Sequence, residues 1–257
     1  MTRIKILLGA LAAATLLASP AAAESELARI KSAGTLRVGT EGTYAPYTFH
    51  DASGALTGFD VEIAREIAAH MGVKAEFLEG KWDGLIAGLD GDRYDAVINE
   101  VSITEARKKK YDFSTPYIAS KAVLIVKAGD DAIKSFADLK GKKAAQSLTS
   151  NFGQLAEKNG ATLVANDGFD QSMQLVLQGR ADATVNDSLS FLDFKKKKPD
   201  APVKIAATEG DAEYSGVLLR KNEPDLVAAV DKALADMKGD GTYARISNSY
   251  FGQDVSK

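Results

Sequence analysis

Asp95-Ala96-Val97-Ile98-Asn99-Glu100-Val101-Ser102-Ile103-Thr104-Glu105-Ala106-Arg107 packs a strand, a polar strand end and a helix start into one short stretch. The apolar run closed by Asn99 reads as a compact buried strand. Ser102 with Glu105 three residues on has the spacing of a capping box, which predicts a helix starting at Ser102 and carrying Arg107 in its first turns. A short buried strand running directly into a helix is the grammar of an α/β layer rather than of a sandwich or a bundle.

The same grammar extends in both directions. Toward the N-terminus, Thr35-Leu36-Arg37-Val38-Gly39 and Val73 to Leu78 read as strands. Phe59 to Met71 reads as a helix, because Ile63, Ala64, Ile67, Ala68 and Met71 recur at helical spacing, with Gly72 to end it. Trp82 to Leu89 is a further short helix. Toward the C-terminus, strands are expected at Lys121–Lys127, Lys143–Gln146, Thr162–Ala165, Ala183–Val185 and Val217–Leu219. Helices are expected from Asn151 to about Lys158, from Phe169 to Gln178, and from Ser188 to about Lys196. Pro224 opens a longer helix with Leu226, Val227, Val230, Leu234 and Met237 on one face, and a last one carries Tyr243, Ile246 and Tyr250. No fixed-period repeat and no Pro-, Gly- or Ser-rich linker interrupts this order. The expectation is a two-lobed α/β fold: lobe 1 from residues 24–120 plus 213–257, lobe 2 from residues 121–212, joined by short extended crossings.

The first 23 residues do not fit that core. Arg3 and Lys5 precede an apolar run, Ile6 to Leu17, and then Pro20 and Ala21-Ala22-Ala23. This is the pattern of a secretory signal peptide with an A-x-A-type cleavage site, too short in its apolar part to span a membrane. A mature chain is expected to start near Glu24. The whole chain of 257 residues is 45% hydrophobic and 26% charged, which excludes a disordered or fibrous protein. Without Arg3 and Lys5 the 32 basic residues fall to 30 against 35 acidic, so nothing suggests nucleic-acid binding. Cysteine is absent, which excludes disulfides, thiolate metal sites, a catalytic thiol and a lipid-modified cysteine. His50 and His70, the two histidines, have no ligand cluster at metal spacing and read as surface residues. The sum is an exported, periplasmic protein.

Ligands in open α/β sheets sit outside the carboxyl ends of strands. Three such ends are followed at once by polar residues. Asn99-Glu100-Val101-Ser102 has Arg107 beyond it. Thr149-Ser150-Asn151 precedes a helix N-terminus, where free N–H groups favour an anion. Asn186-Asp187 follows the strand Ala183–Val185. One cation, one anion-binding helix start and one carboxylate are what a zwitterion needs. Standing alone, Arg107 would read as half of a surface ion pair, Asp187 as a helix N-cap, and Trp82 as packing.

Five stretches change that weighting. Gly39-Thr40-Glu41-Gly42-Thr43-Tyr44-Ala45-Pro46-Tyr47, Gly58-Phe59-Asp60-Val61-Glu62, Lys81-Trp82-Asp83-Gly84-Leu85, the residues from Asn99 to Arg107, and Tyr111-Asp112-Phe113-Ser114-Thr115-Pro116-Tyr117 resemble family 3 solute-binding proteins. These proteins serve ABC importers of polar amino acids. Lys81–Leu85 and Arg107–Ser114 are most similar to the cystine-binding branch. The resemblance implies a two-lobed fold with the ligand cleft between the lobes, and a role for each matching residue. Arg107 would fork onto the ligand α-carboxylate, with Ser102, Ser150 and Asn151 beside it. Asp187 would receive the α-ammonium. Asn99 and Glu100 would line the same end of the pocket, and Tyr44 and Trp82 would sandwich the ligand side chain. It implies a monomer that binds a small amino acid, docks onto an ABC permease in the inner membrane, and needs no cofactor or metal.

Two departures bear on the ligand. Glu100 stands where the cystine branch usually carries a neutral polar residue, and Thr149 where glycine is common in the wider family. A carboxylate at position 100 can pair with a second ligand cation, which keeps basic amino acids, and glutamine, as alternatives to cystine. Other classes on this fold are periplasmic enzymes of the dehydratase type, for which Glu100 would be the acid or base, and sensor modules, which would need a partner protein here.

Overall fold

The computed structural model describes residues 25–256, so the expected leader, residues 1–23, and the expected mature start at Glu24 lie outside the described residues. The chain opens with α1 (Glu26–Ala33), β1 (Thr35–Thr40), β2 (Thr43–Tyr44), β3 (Thr48–His50), β4 (Leu56–Thr57), α2 (Phe59–His70), β5 (Lys74–Glu79), α3 (Trp82–Asp90), β6 (Ala96–Val97), α4 (Glu105–Lys108) and β7 (Tyr111–Phe113). β8 (Ile118–Ser120) crosses to a second set: β9 (Ala122–Lys127), β10 (Lys143–Gln146), α5 (Asn151–Lys158), β11 (Thr162–Ala165), α6 (Phe169–Gln178), β12 (Ala183–Asp187), α7 (Ser188–Lys197) and β13 (Val203–Thr208). β14 (Glu213–Ser215) crosses back to β15 (Leu218–Arg220), α8 (Pro224–Gly239) and α9 (Thr242–Phe251).

Each set builds one five-stranded sheet, ordered β5-β1-β6-β15-β7 in the first lobe and β11-β10-β12-β9-β13 in the second. β5, β1 and β6 run parallel, and β15 is antiparallel to β6 and β7. The second lobe repeats this, with β11, β10 and β12 parallel and β9 antiparallel to β12 and β13. In each sheet the chain leaves a central parallel strand, β1 or β10, to one side and then returns on its other side. Strand order therefore reverses beside β1 and beside β10, and a crevice opens at the carboxyl ends there. β8 and β14, the two crossing strands, pair antiparallel through Ile118–Ser215, Ala119–Tyr214 and Ser120–Glu213. The fold is two-lobed α/β, as the alternation of elements implies.

The predicted helical faces are buried. Ile63, Ala64, Ile67 and Ala68 of α2 are inaccessible, as are Leu226, Val230 and Met237 of α8. Each of the isoleucine, leucine, valine and methionine side chains among them contributes about 1.5–3 kcal/mol by leaving water. One local expectation fails. Ser102 does not cap a helix: α4 starts at Glu105, and Thr104 is its N-cap, accepting from the Arg107 N–H. Ser102 bridges to Ser215 of the crossing strand, so a tertiary pairing wins over the local capping pattern. The expected strand Asp95–Asn99 is formally only β6, although Asp95 N still donates to Arg37 O and Ile98 N to Gly39 O.

Candidate functional site

β1 and β6 end side by side, and their next residues form one wall of the crevice. Asn99 Oδ1 accepts the Glu41 N–H at 2.8 Å, while its Nδ2 donates to Glu41 Oε2 at 2.7 Å. The amide thus fixes the Glu41 carboxylate at the strand end. Glu100 sits in the left-handed backbone region with φ of 50°, rare for a residue other than glycine and characteristic of functional turns. Its N–H donates to Asp60 Oδ2 and its Oε1 accepts from Ser215 Oγ at 2.9 Å. Trp82 begins α3. The Arg107 guanidinium lies 5.2 Å from the Trp82 ring centre and donates to the Ser102 carbonyl at 2.9 Å. Trp82 therefore holds Arg107 as well as facing the cleft, and its Nε1 is buried without a partner.

The second lobe presents the opposite wall from the ends of β10 and β12. Ser150 caps α5 by accepting the Gly153 N–H at 2.9 Å, which leaves Asn151 as the first helical residue. Asn151 Nδ2 reaches across to Ser102 Oγ at 3.1 Å. Asp187 ends β12 and caps α7: its Oδ1 accepts Leu189 N at 2.9 Å and Ser190 N at 3.0 Å. Tyr47 of the first lobe donates to the same oxygen at 2.6 Å. Asp187 is inaccessible to water, and its Oδ2 is buried with no hydrogen-bond partner. The capping role and a free oxygen thus coexist on one carboxylate.

The lobes are closed on each other. Tyr44 donates to Asn186 Oδ1 at 3.0 Å, Lys81 pairs with Asp167 at 2.6 Å, and Asp83 Oδ1 accepts both the N–H and the hydroxyl of Thr149 at 2.9 Å. The cleft between them holds about 470 Å³ of empty space, part of it open to solvent. Tyr44, Trp82, Asn99, Glu100, Ser150 and Asn151 line it. Ser102, Arg107 and Asp187 do not line it: Ser102 accepts from the lining Asn151, Arg107 lies over the lining Trp82, and Asp187 is bonded by Tyr47, which packs on the lining Tyr44. The sequence reading missed Glu41, Gln146, Phe169 and Ser172, which also line the cavity, and singled out the strand end at Asn186 without giving that lining residue a role. The strand-end rule that selected Asn99 and Asp187 applies equally to Glu41 after β1 and to Gln146 at the end of β10. The reading also missed Glu213, whose Oε2 accepts from Ser102 Oγ at 3.2 Å and Asn151 Nδ2 at 2.9 Å.

Electrostatically the site is acidic. Burial pushes the carboxyls of Glu41 and Asp60 up to about 7. Burial and then the Asp187 charge raise Glu100 well above the usual range. Burial raises Asp187, tempered by the Ser120 and Tyr47 hydroxyls, and raises Glu213 as well. Arg107 faces Glu100 and Glu213, and burial lowers its pKa against their pull. Ionised carboxyls outnumbering one guanidinium would be costly in a closed cavity, so the empty site favours protonated forms. A group of Glu26, Asp92 and Asp95 has metal-like spacing at the far end of β1, but Arg37 already pairs with Asp95 at 2.5 Å and Arg220 with Glu26 at 2.5 Å. Three arginines, Arg29, Arg37 and Arg220, neutralise it.

Residues 36–253 match the model of the bacterial extracellular solute-binding proteins, family 3. The chain is 46% identical over 231 residues to the L-cystine-binding protein TcyA of Bacillus subtilis, covering 90% of this chain and 86% of that one. Among solved structures, an ancestral arginine-binding protein bound to arginine superposes with a TM-score of 0.80 at 42% identity, covering 85% of this chain and 98% of that one. The L-cystine solute receptor of Neisseria gonorrhoeae in the unliganded open conformation is 47% identical, covering 91% and 99%, yet its TM-score is 0.60. Higher identity with poorer superposition fits a difference in lobe closure rather than in fold.

Proposed function

Because this chain belongs to the bacterial extracellular solute-binding proteins of family 3, we propose that it captures a polar L-amino acid, cystine foremost, and delivers it to an ABC importer. The observation that carries this reading is Asp187 Oδ2 in the second lobe, buried and unpartnered, taken with Arg107 of the first lobe, held on the Trp82 ring that lines the cleft. A guanidinium on one lobe and a free carboxylate oxygen on the other suit the two ends of a zwitterion. In this reading Arg107, Ser102, Ser150 and Asn151 take the α-carboxylate and Asp187 takes the α-ammonium. Tyr44, Trp82 and Asn99 shape the side-chain pocket. Because each end of the ligand belongs to a different lobe, binding favours closure, with the crossing strands β8 and β14 as the hinge. The lobes are residues 24–120 plus 213–257 and residues 121–212.

Glu41 and Glu100 decide among ligands. With one ammonium in the ligand, these carboxyls remain protonated or unpaired. A second cation lets one of them ionise usefully, which favours cystine through its second ammonium and, next to it, arginine, lysine or ornithine. The protein is exported by the leader at residues 1–23 to the periplasm, works as a monomeric carrier rather than a catalyst, and offers its closed form to the permease. Calorimetric titration with L-cystine, arginine, glutamine and glutamate tests this. Cystine should bind tightest and glutamate worst. Tight glutamate binding, or binding of none of the four, would overturn it.

A further inference from the structure

β14 brings Glu213 from the crossing between the lobes to the rim of the cleft. There a single oxygen, Oε2, accepts the Ser102 hydroxyl at 3.2 Å from the first lobe and the Asn151 amide at 2.9 Å from the second. Arg107, whose guanidinium also holds the Ser102 carbonyl at 2.9 Å, acts on the same carboxylate. These three side chains are among the four assigned above to the α-carboxylate of the ligand, Ser150 being the other. A hydroxyl has one proton to donate, so Ser102 cannot serve Glu213 and a ligand carboxylate at once. Two ionised carboxylates crowded on one guanidinium would also repel each other.

We propose that Glu213 is a competing carboxylate, seated in the ligand's carboxylate anchor when the cleft is empty and displaced when a ligand enters. The inference rests on the amino-acid reading of the cleft. Glu213 can leave: it is only partly buried, and its neighbours Ala212 and Tyr214 are exposed, so a side-chain rotation carries the carboxylate into water. In the closed form it also joins both lobes through Ser102 and Asn151, so it holds the anchor side chains in register when the lobes meet. The consequence is selective. A ligand that offers only a carboxylate exchanges one carboxylate for another and gains little. A ligand that also places an ammonium at Asp187 Oδ2 gains an interaction Glu213 cannot supply, and so wins the exchange. Glu213 would thus determine specificity for zwitterions over simple anions, and would hold the affinity below what the anchor alone allows.

Titration calorimetry with L-cystine on wild type, Glu213→Ala, Glu213→Gln and the double variant Arg107→Ala/Glu213→Ala tests this. Removing the competitor should tighten cystine binding by about three- to tenfold in Glu213→Ala, the range for the net contribution of one ordinary hydrogen bond. Glu213→Gln removes the charge but keeps an acceptor, so it should tighten binding by less, and it stands in should the alanine variant fold poorly. The gain should vanish when Arg107 is absent. Wild-type binding with equal or weaker binding by both single variants overturns the inference and leaves the amino-acid reading intact. Binding by none of the proteins overturns both.

Discussion

Asp187→Asn should make the empty protein more stable while removing its ligand. In wild type, Oδ1 accepts two N–H groups of α7 and the Tyr47 hydroxyl, and the Ser120 hydroxyl also acts on this carboxyl. Asparagine keeps that oxygen and so keeps the cap. Oδ2 is buried without a partner, near the Glu100 carboxyl. Ionising a buried carboxyl whose Oδ2 has no partner adds about 1–3 kcal/mol over the neutral form, and a neutral amide in its place escapes that addition. Burial raises the Asp187 pKa in the fold, so the cost is absent below the unfolded value near 4 and grows as pH rises through the folded one. The amide removes the titration. Unliganded Asp187→Asn should therefore unfold at a higher temperature than wild type at pH 7.5, by roughly 2–8 °C for a gain of about 1–2 kcal/mol in a chain of this size. Near pH 4 the two should coincide. Cystine affinity should fall by about 2–5 kcal/mol, because the ammonium loses its charged partner. Thermal unfolding of the empty proteins at both pH values, with calorimetry at pH 7.5, gives the answer. A variant less stable than wild type at pH 7.5, or one binding cystine undiminished, would refute the assignment of Oδ2.

Arg107→Ala should cost about 2–5 kcal/mol of cystine binding by leaving a buried carboxylate unpaired, read by calorimetry; a loss under about twofold would remove Arg107 from the site. Asp83 lies outside the cavity but ties Thr149 and Leu148 of the second lobe to α3 at 2.9 and 3.3 Å, so Asp83→Ala should weaken every ligand alike, by about 1–2 kcal/mol, through closure. Unequal losses among cystine, arginine and glutamine would instead place Asp83 against the ligand. Glu41 and Asp60, raised to about 7 by burial, contribute stability that is fully present below about 4 and is lost as pH rises through about 7, so the empty protein should lose stability over that window in pH-dependent unfolding. Cystine should bind with release of protons near pH 6.5, because its second ammonium favours ionised Glu41, and titrations in two buffers of different ionisation enthalpy would show it.

Much of the fold was legible because its signals are local. The apolar faces of α2 and α8 and the helix starts at Ser150 and Asp187 follow from residues adjacent in the chain. β2, β3, β4, β7, β8, β13 and β14 escaped, because they are short and earn their strand geometry from distant partners, as β14 does from β8. Ser102 shows the converse: its capping-box spacing was sound locally, and its pairing with Ser215 overrode it. Within the site, Asn99, Glu100, Ser150, Asn151 and Asp187 were readable from strand ends. Glu41 was equally readable and went unassigned. Tyr47 and Glu213 were not, since one meets Asp187 only when the lobes close and the other arrives on a crossing strand that carries no sequence signature.

The most direct measurement of the central claim is a crystal structure of the protein grown with L-cystine. The α-carboxylate of one half should lie on the Arg107 guanidinium with Ser102 and Asn151, its ammonium should meet Asp187 Oδ2, and the second ammonium should approach Glu41 or Glu100. A ligand held by one lobe alone, or a carboxylate seated away from Arg107, would contradict the account.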